Sequence, residues 1–316
     1  MRAHNLDRLL TTLDVQIHAF SVCQVRRGVR LAFTPMNAVI VHYTVAGRGV
    51  LYLEGREPVA FGTNSIVIVP AGLKQVIAAD TKPARELDAA NHCAMLVDGL
   101  IKFDGAQGGK ADLLTLCGSI SATYGGSFGL FDRLPVALVE DLGAMPAVRA
   151  IFDWMLAERS APTIGTGALT EALMKQCLIL VIRHHLSRRS TSSPLFEMLA
   201  DTRLSLAIQL VLQRPGAAHK LHELAKAAGM SRSAFAKRFM EVFGRSPMDF
   251  VQRTRLHHAA KLLAGTDLPI KVIAASMGHA SRSHFSRAFR SAYGMDPSKF
   301  RRVAASRTVD APAAGR

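Results

Sequence analysis

Arg232, Ser233, Ala236 and Lys237 lie within SRSAFAKRFMEVFGRSP (231–247), and Arg282, Ser283, Ser286 and Arg287 lie within SRSHFSRAFRSAYGMDP (281–297). In each set the four positions fall at i, i+1, i+4 and i+5, which is one face of a helix. A guanidinium offers paired N–H donors that fit a phosphate, a carboxylate or the edge of a guanine. Hydroxyl and ammonium groups reach single acceptors, and the Ala236 methyl offers only apolar contact, for example to a thymine methyl. Such a set suits recognition of a polyanion rather than covalent chemistry.

The surrounding residues say how these faces are held. LAKAAGMSRSAFAKRFMEVFGRSPMDF (224–250) aligns with IAASMGHASRSHFSRAFRSAYGMDPSKF (273–300). Gly229 pairs with Gly278, Ser231 with Ser281, Phe235 with Phe285, Phe239 with Phe289, Gly244 with Gly294 and Pro247 with Pro297. The second copy has one extra residue in its turn, either His279 or Ala280. Each copy reads as a short alanine-bearing helix, a glycine turn, a serine N-cap and a second helix stopped by glycine. The second helices are expected to bury Phe235, Phe239 and Val242, and Phe285, Phe289 and Ala292. Between the copies, Leu256, Ala259, Ala260 and Leu263 form an apolar stripe, so a helix can join the two helix-turn-helix units rigidly.

Charge points the same way. The chain of 316 residues carries +15, and residues 203–302 hold 18 basic and 5 acidic residues, so +13 of the total falls on this third. A surface of that sign fits a nucleic acid. Two recognition helices so held could enter successive major grooves, about 34 Å apart along one face of double-stranded DNA.

Residues 201–302 resemble the DNA-binding domain of the AraC/XylS family of bacterial transcription regulators. The resemblance is carried by LAKAAGMSRSAFAKRF, GRSP, RL-x2-A-x2-LL (Arg255 to Leu263), IAASMGH and SHFSRAFRSAYGMDPSKFRR. His279 departs from it, since an aromatic residue usually follows the glycine. The resemblance implies base-reaching roles for Ser233, Ala236, Lys237, Ser283, Ser286 and Arg287.

The front of the chain has a different rhythm. NAVIVHYTVAGRGVLYLEG (37–55), TNSIVIVPAGLKQVIA (63–78) and DLLTLCGSISATYGGSFGLF (112–131) read as strands broken by glycine, which suggests a small barrel or sandwich. GAQGGK (105–110) reads as a loop. From about residue 135 the period turns helical. Val148, Ile151, Phe152, Met155 and Leu156 share one face, as do Leu169, Leu173, Cys177 and Leu180. These helices either pack within the domain or form a dimer seam. VHYTVAGRGVLYLEGREPVAFGTNSIVIVPAGLKQVI, LLTLCGSI, LFDRLP and ALMKQCLILVIRHHL make this half similar to the cupin-like sensory domain of the same family. The fold expected is therefore α+β and multidomain. A cupin-like β-barrel with a helical tail (1–187) is followed by a linker (188–200), an all-α double helix-turn-helix domain (201–302) and a flexible tail (303–316).

That resemblance implies a small-molecule effector in the barrel. QVRRGVR (24–30) gathers Arg26, Arg27 and Arg30, suited to phosphate or carboxylate, and Tyr43, Tyr52 and Lys74 are further candidates for the lining. Arg26 and Arg30 also match the R-x3-R spacing of PilZ-type cyclic di-GMP sites, without that family's companion motif. His18, His42 and His92 are too scattered to read as a metal set, and no GxSxG, HExxH or phosphate-loop pattern occurs. No cofactor, metal or catalytic residue is implied. Cys23, Cys93, Cys117 and Cys177 read as free buried thiols of a reducing compartment. No run of eighteen apolar residues and no signal-peptide core occurs, so no membrane is implied and the expected location is the cytoplasm. The expectation is a homodimeric, effector-controlled DNA-binding regulator. The alternatives left open are a metal-dependent cupin enzyme fused to a DNA-binding domain, and a DNA binder that answers to no effector.

Overall fold

In the computed structural model the described residues are 7, 10–82, 85–97, 99–131, 134, 136–188 and 201–309. Most of the expected linker (189–200) and the end of the tail (310–316) lie outside them. The chain divides into two compact units, one formed by 15–122 and 131–195, the other by 1–14, 123–130 and 196–316.

The first unit is a curled β-sheet with a helical tail. Its strands are β1 (Leu13–Val25), β2 (Val29–Phe33), β3 (Val39–Leu53), β4 (Val59–Gly62), β5 (Ser65–Val69), β6 (Gln75–Ala78), β7 (Arg85–Asp88), β8 (Cys93–Val97), β9 (Leu100–Gly105), β10 (Leu113–Tyr124) and β12 (Leu138–Asp141), while β11 (Phe128–Gly129) falls in the second unit. The main order is β7-β2-β6-β3-β10-β1-β9-β8. The stretch 63–78, expected as one strand, is two. Pro70 and Gly72 (φ +83°) break it, and β5 and β6 then pair with opposite ends of β3.

β3 makes the curl. Its first half pairs with β10 and β5, and its second half pairs with β4 and β6. An extra residue, Val45, bulges where Leu114 faces Ala46 and Thr115 faces Thr44. Gly47 (φ +90°) follows the bulge, and a Cβ there would stand 2.0 Å from the Asp112 carbonyl oxygen. One strand can therefore bend between two half-sheets. Inside the bend, Cys23, Val25, Leu31, Phe33, Ile40, Leu51, Val67, Ile77, Leu113 and Cys117 form the core.

Helices α1 (Pro146–Ser160) and α2 (Thr166–Arg188) cover the outer face. Tyr43 of β3 stacks on Phe152 of α1, with ring centres 4.4 Å apart and planes 5° apart. In α1 the buried residues are Val148, Ile151, Phe152 and Met155, with Leu156 half-buried. In α2 the buried stripe runs through Thr170, Leu173, Met174, Cys177, Leu178, Val181, Ile182 and His185. It is rotated from the expected Leu169–Leu180 line, because β12 supplies a buried carboxylate. Glu140 lies 2.7 Å from His185 Nδ1 and draws that face of the helix inward.

The second unit carries α3 (Thr202–Gln213), α4 (Leu221–Ala227), α5 (Arg232–Phe243), α6 (Pro247–Gly265), α7 (Ile270–Ser276), α8 (Arg282–Tyr293) and α9 (Pro297–Val309). α9 continues to Val309, past residue 303 where a flexible tail was expected to begin. The same unit includes the turn 123–130, where Phe128 packs on Phe243 at 4.6 Å and on Phe250 at 5.5 Å.

Candidate nucleic-acid interface and ligand cavity

The two helix-turn-helix units repeat bond for bond. In the first, Gly229 takes φ +63°, its N–H donates to Lys226 O at 3.0 Å, and the Met230 N–H donates to Ala225 O at 2.9 Å. In the second, Gly278 takes φ +72°, its N–H donates to Ala275 O at 3.0 Å, and the His279 N–H donates to Ala274 O at 3.0 Å. His279 thus makes the bond that Met230 makes, and Ala280 is the additional residue. The His279 ring is buried and stands edge-on to Phe285 at 5.2 Å, so an imidazole fills the aromatic position.

The second helix of each unit is then capped alike. Ser231 Oγ accepts from Ala234 N at 3.3 Å, and Ser281 Oγ accepts from His284 N at 3.2 Å. Gly244 (φ +67°) and Gly294 (φ +70°) end the helices in the left-handed conformation that a glycine adopts without strain. Phe235, Phe239 and Val242 are buried in α5, as are Phe285 and Phe289 in α8. Ala292 is exposed, contrary to expectation. Tyr293 instead lies on Phe289 at 4.5 Å and Phe300 closes on the same ring at 5.3 Å, so two large rings leave nothing for the methyl to fill.

The outward faces match position by position. Arg232, Ser233 and Lys237 are exposed and Ala236 is half-buried; Arg282, Ser283 and Arg287 are exposed and Ser286 is half-buried. Among the described residues none of Arg232, Lys237, Arg282 and Arg287 has an ion pair or a side-chain hydrogen bond. Neighbouring cations are committed elsewhere. Arg238 bonds Asp201 at 3.0 Å, Arg253 bonds Asp249 at 3.1 Å, and Arg290 bonds Asp296 at 2.6 Å. Arg255 on the joining helix donates to Pro215 O at 3.0 Å and Ala217 O at 2.6 Å, so it clamps backbone. The sequence could count charges but could not show which were already paired.

The half-barrel presents a cavity of about 240 Å³ lined by Phe33, Ile40, His42, Ile101, Phe103 and Cys117, among others. None of the six expected effector residues lines it. Arg26 and Arg27 are exposed in the β1–β2 turn, where Arg26 donates to Gln107 Oε1 at 2.9 Å and the Arg27 N–H donates to Asp112 Oδ2 at 2.8 Å. Arg30 pairs with Glu86 at 2.8 Å. Lys74 is exposed at the other end of the β2–β6 pair, in which Arg30 faces Ala78 and Phe33 faces Gln75. Tyr43 is buried against α1 and donates to Asn64 Oδ1 at 3.1 Å, while Tyr52 donates to Thr81 O at 3.3 Å. The three arginines share a turn, but the tyrosines and Lys74 do not join them, because strand alternation turns Tyr43 away from the interior that His42 faces.

His18 bonds Ser121 at 2.6 Å and His42 lies deep in the cavity wall. Among the described residues no group of three or more His, Cys, Asp or Glu could hold a metal ion, and no helix is long and apolar enough to cross a membrane. Three of the cysteines are buried, whereas Cys93 is exposed on β8 at the sheet edge.

Comparison with known proteins agrees with both halves. A cupin family model matches residues 5–187 and a helix-turn-helix family model matches residues 224–303. The HTH-type transcriptional regulator MtrA of Neisseria gonorrhoeae is 29% identical over 83% of this chain and 86% of its own. A putative AraC-like transcription regulator of Streptomyces antibioticus is 27% identical over 94% of this chain and 98% of its own. Among solved structures, an apo variant of ToxT from Vibrio cholerae covers 92% of this chain and 96% of its own at 13% identity, with a TM-score of 0.36. The repeated helix-turn-helix units that follow a cupin-like domain along the chain, together with the family and relative matches, place the chain in the AraC/XylS family of DNA-binding transcriptional regulators.

Proposed function

We propose that α5 and α8 read double-stranded DNA by sequence, and that a small molecule held in the cavity of the curled sheet controls that reading. The observation that carries the first half is the matched pair of outward faces, each with two unpaired cations at the start of a capped helix. Short polar and basic side chains in that place fit the major groove. The inward residues of the two copies agree, while Ala236-Lys237 stands opposite Ser286-Arg287. Each helix therefore reads a different stretch, and two copies of the chain acting together would double the site.

A largely apolar cleft with a few polar groups has the makeup of a small-molecule site. The turn with Arg26, Arg27 and Arg30 supports a second reading, an anionic effector such as a carboxylate or cyclic di-GMP. Glu86 and Asp112 already draw on Arg30 and Arg27, which favours the cavity. Either effector acts only by binding the DNA-competent state with a different affinity.

Duplexes selected in vitro on the full chain test the DNA reading. Arg287→Ala should weaken the selected site by about 1–3 kcal/mol with the fold intact by circular dichroism. Equal losses on selected and random DNA would reduce Arg287 to a phosphate contact.

A further inference from the structure

Beside the cavity lies a cluster that DNA reading does not use. Cys117 of β10 stands with its Sγ 3.0 Å from His42 Nδ1 and 3.3 Å from Thr115 Oγ1. His42 Nε2 is 2.9 Å from Gln75 Oε1. The Gln75 carbonyl accepts, so Nε2 carries a proton and Nδ1 is the nitrogen left to take one from Cys117. Cys23, on the neighbouring strand β1, belongs to the same buried cluster. All four partners are buried, and the side of Cys117 that is not enclosed by them lines the cavity.

Charge follows this geometry. Burial alone would push the Cys117 thiol up, but the hydrogen bond from Cys23, the charge and hydrogen bond of His42, and Thr115 outweigh it and hold the thiol well below its ordinary value. Cys23 moves the opposite way, pushed well up by its bond to Cys117, by burial and by the Cys117 charge. For His42, burial works downward and is outweighed by the Cys117 charge and the bonds to Cys117 and Gln75, so its value is raised. Both shifts favour the charged forms, a Cys117 thiolate facing a protonated His42 at 3.0 Å, with Thr115 Oγ1 3.3 Å from the same sulfur. Cys177, by contrast, is pushed up to about 12 by burial with no such partner.

We propose that Cys117 is a nucleophilic site for an apolar soft electrophile, of the α,β-unsaturated aldehyde or ketone class, and that the adduct alters DNA binding. This rests on the cavity being the effector site and names the chemistry of that effector. The thiolate electron pair forms a C–S bond to the β-carbon, and the C=C π pair shifts to the enolate. The enolate then takes the His42 Nδ1 proton at its α-carbon, leaving a thioether and a neutral imidazole. No oxidant or cofactor enters. The size and walls of the cavity favour such a molecule over a peroxide. A peroxide is little larger than water, whose share of volume is about 30 Å³, and it would gain nothing from Phe33, Ile40, Ile101 and Phe103.

The test uses the full chain carrying Cys93→Ser, which removes the exposed thiol. It is treated with cinnamaldehyde at pH 6, where an ordinary thiol is almost wholly protonated, and adducts are located by peptide mass mapping. One adduct is expected, on Cys117. His42→Asn and the near-isosteric Thr115→Val should each slow it, the former by at least about tenfold, with circular dichroism unchanged. Labelling should change the affinity for a selected duplex by about fivefold or more, and Cys117→Ser should abolish that response. No adduct, an adduct on Cys177, rates untouched by both variants, or labelling without a change in DNA affinity would each overturn the proposal. Cinnamyl alcohol, of the same shape but without the electrophile, separates the two readings. A thermal shift with the alcohol and no adduct with the aldehyde sinks the covalent site and keeps the effector site, whereas neither effect sinks both. A Cys23–Cys117 disulfide formed by hydrogen peroxide, with no aldehyde adduct, would overturn the electrophile in favour of an oxidant.

Discussion

His279 does as a ring what its position asks for. Burial first, then the charges of Arg255 and His284, hold its pKa below the ordinary imidazole value, so it packs edge-on to Phe285 as a neutral aromatic. Asp14 is the opposite case, a group whose charge is favoured by what surrounds it. His257 bonds its carboxylate at 3.0 Å and Lys261 does so at 3.0 Å. The His257 bond, opposed by burial and aided by Lys261, lowers its pKa to about 2. A depressed carboxylate contributes stability above its unfolded value of about 3.9 and loses it as pH falls through the folded value. The melting-temperature gap between wild type and Asp14→Asn should therefore be full at pH 5 and close towards pH 2. A gap constant over that range would show that the charge contributes nothing.

At the scale of elements, the two helix-turn-helix units are held in register by backbone pressed against backbone. A Cβ on Gly216, between α3 and α4, would stand 1.9 Å from the Ser276 carbonyl oxygen at the end of α7. A Cβ on Gly278 would stand 2.8 Å from the Gly216 carbonyl oxygen. Arg255 seals this junction from α6 through Pro215 and Ala217, and burial lowers its pKa. No rotamer relieves a clash with a carbonyl, so Gly216→Ala must displace one unit against the other. It should cost about 1–3 kcal/mol of stability in chemical denaturation. It should also weaken a duplex that needs both recognition helices more than one that needs a single helix. Equal binding to both duplexes would mean that the junction does not set the spacing.

For the whole molecule, the charge of the second unit matters through the part that is free. On random duplex, where no base is read, the four unpaired cations of α5 and α8 are each free to neutralise a phosphate, so log K should fall with log salt at a slope of about −3.6. Lys237→Ala should make that slope shallower by about 1 in a salt titration of binding to random duplex; an unchanged slope would remove Lys237 from the phosphates. The sequence alone determined the doubled helix-turn-helix. Its signals are local: glycines where φ must be positive, serines that cap the next turn, phenylalanines at helical spacing. The strand-and-glycine rhythm of the cupin-like half was legible for the same reason, except that 63–78 concealed two strands whose partners lie on opposite halves of β3. Four outcomes depended on contacts between residues far apart in sequence. They are the pairing state of each cation, the rotation of the α2 stripe towards Glu140, the separation of Tyr43 and Lys74 from the arginine turn, and the meeting of His42, Gln75, Cys117 and Cys23. Only the tertiary structure decided those, because composition and spacing carry no record of which strands become neighbours or which charges find a partner.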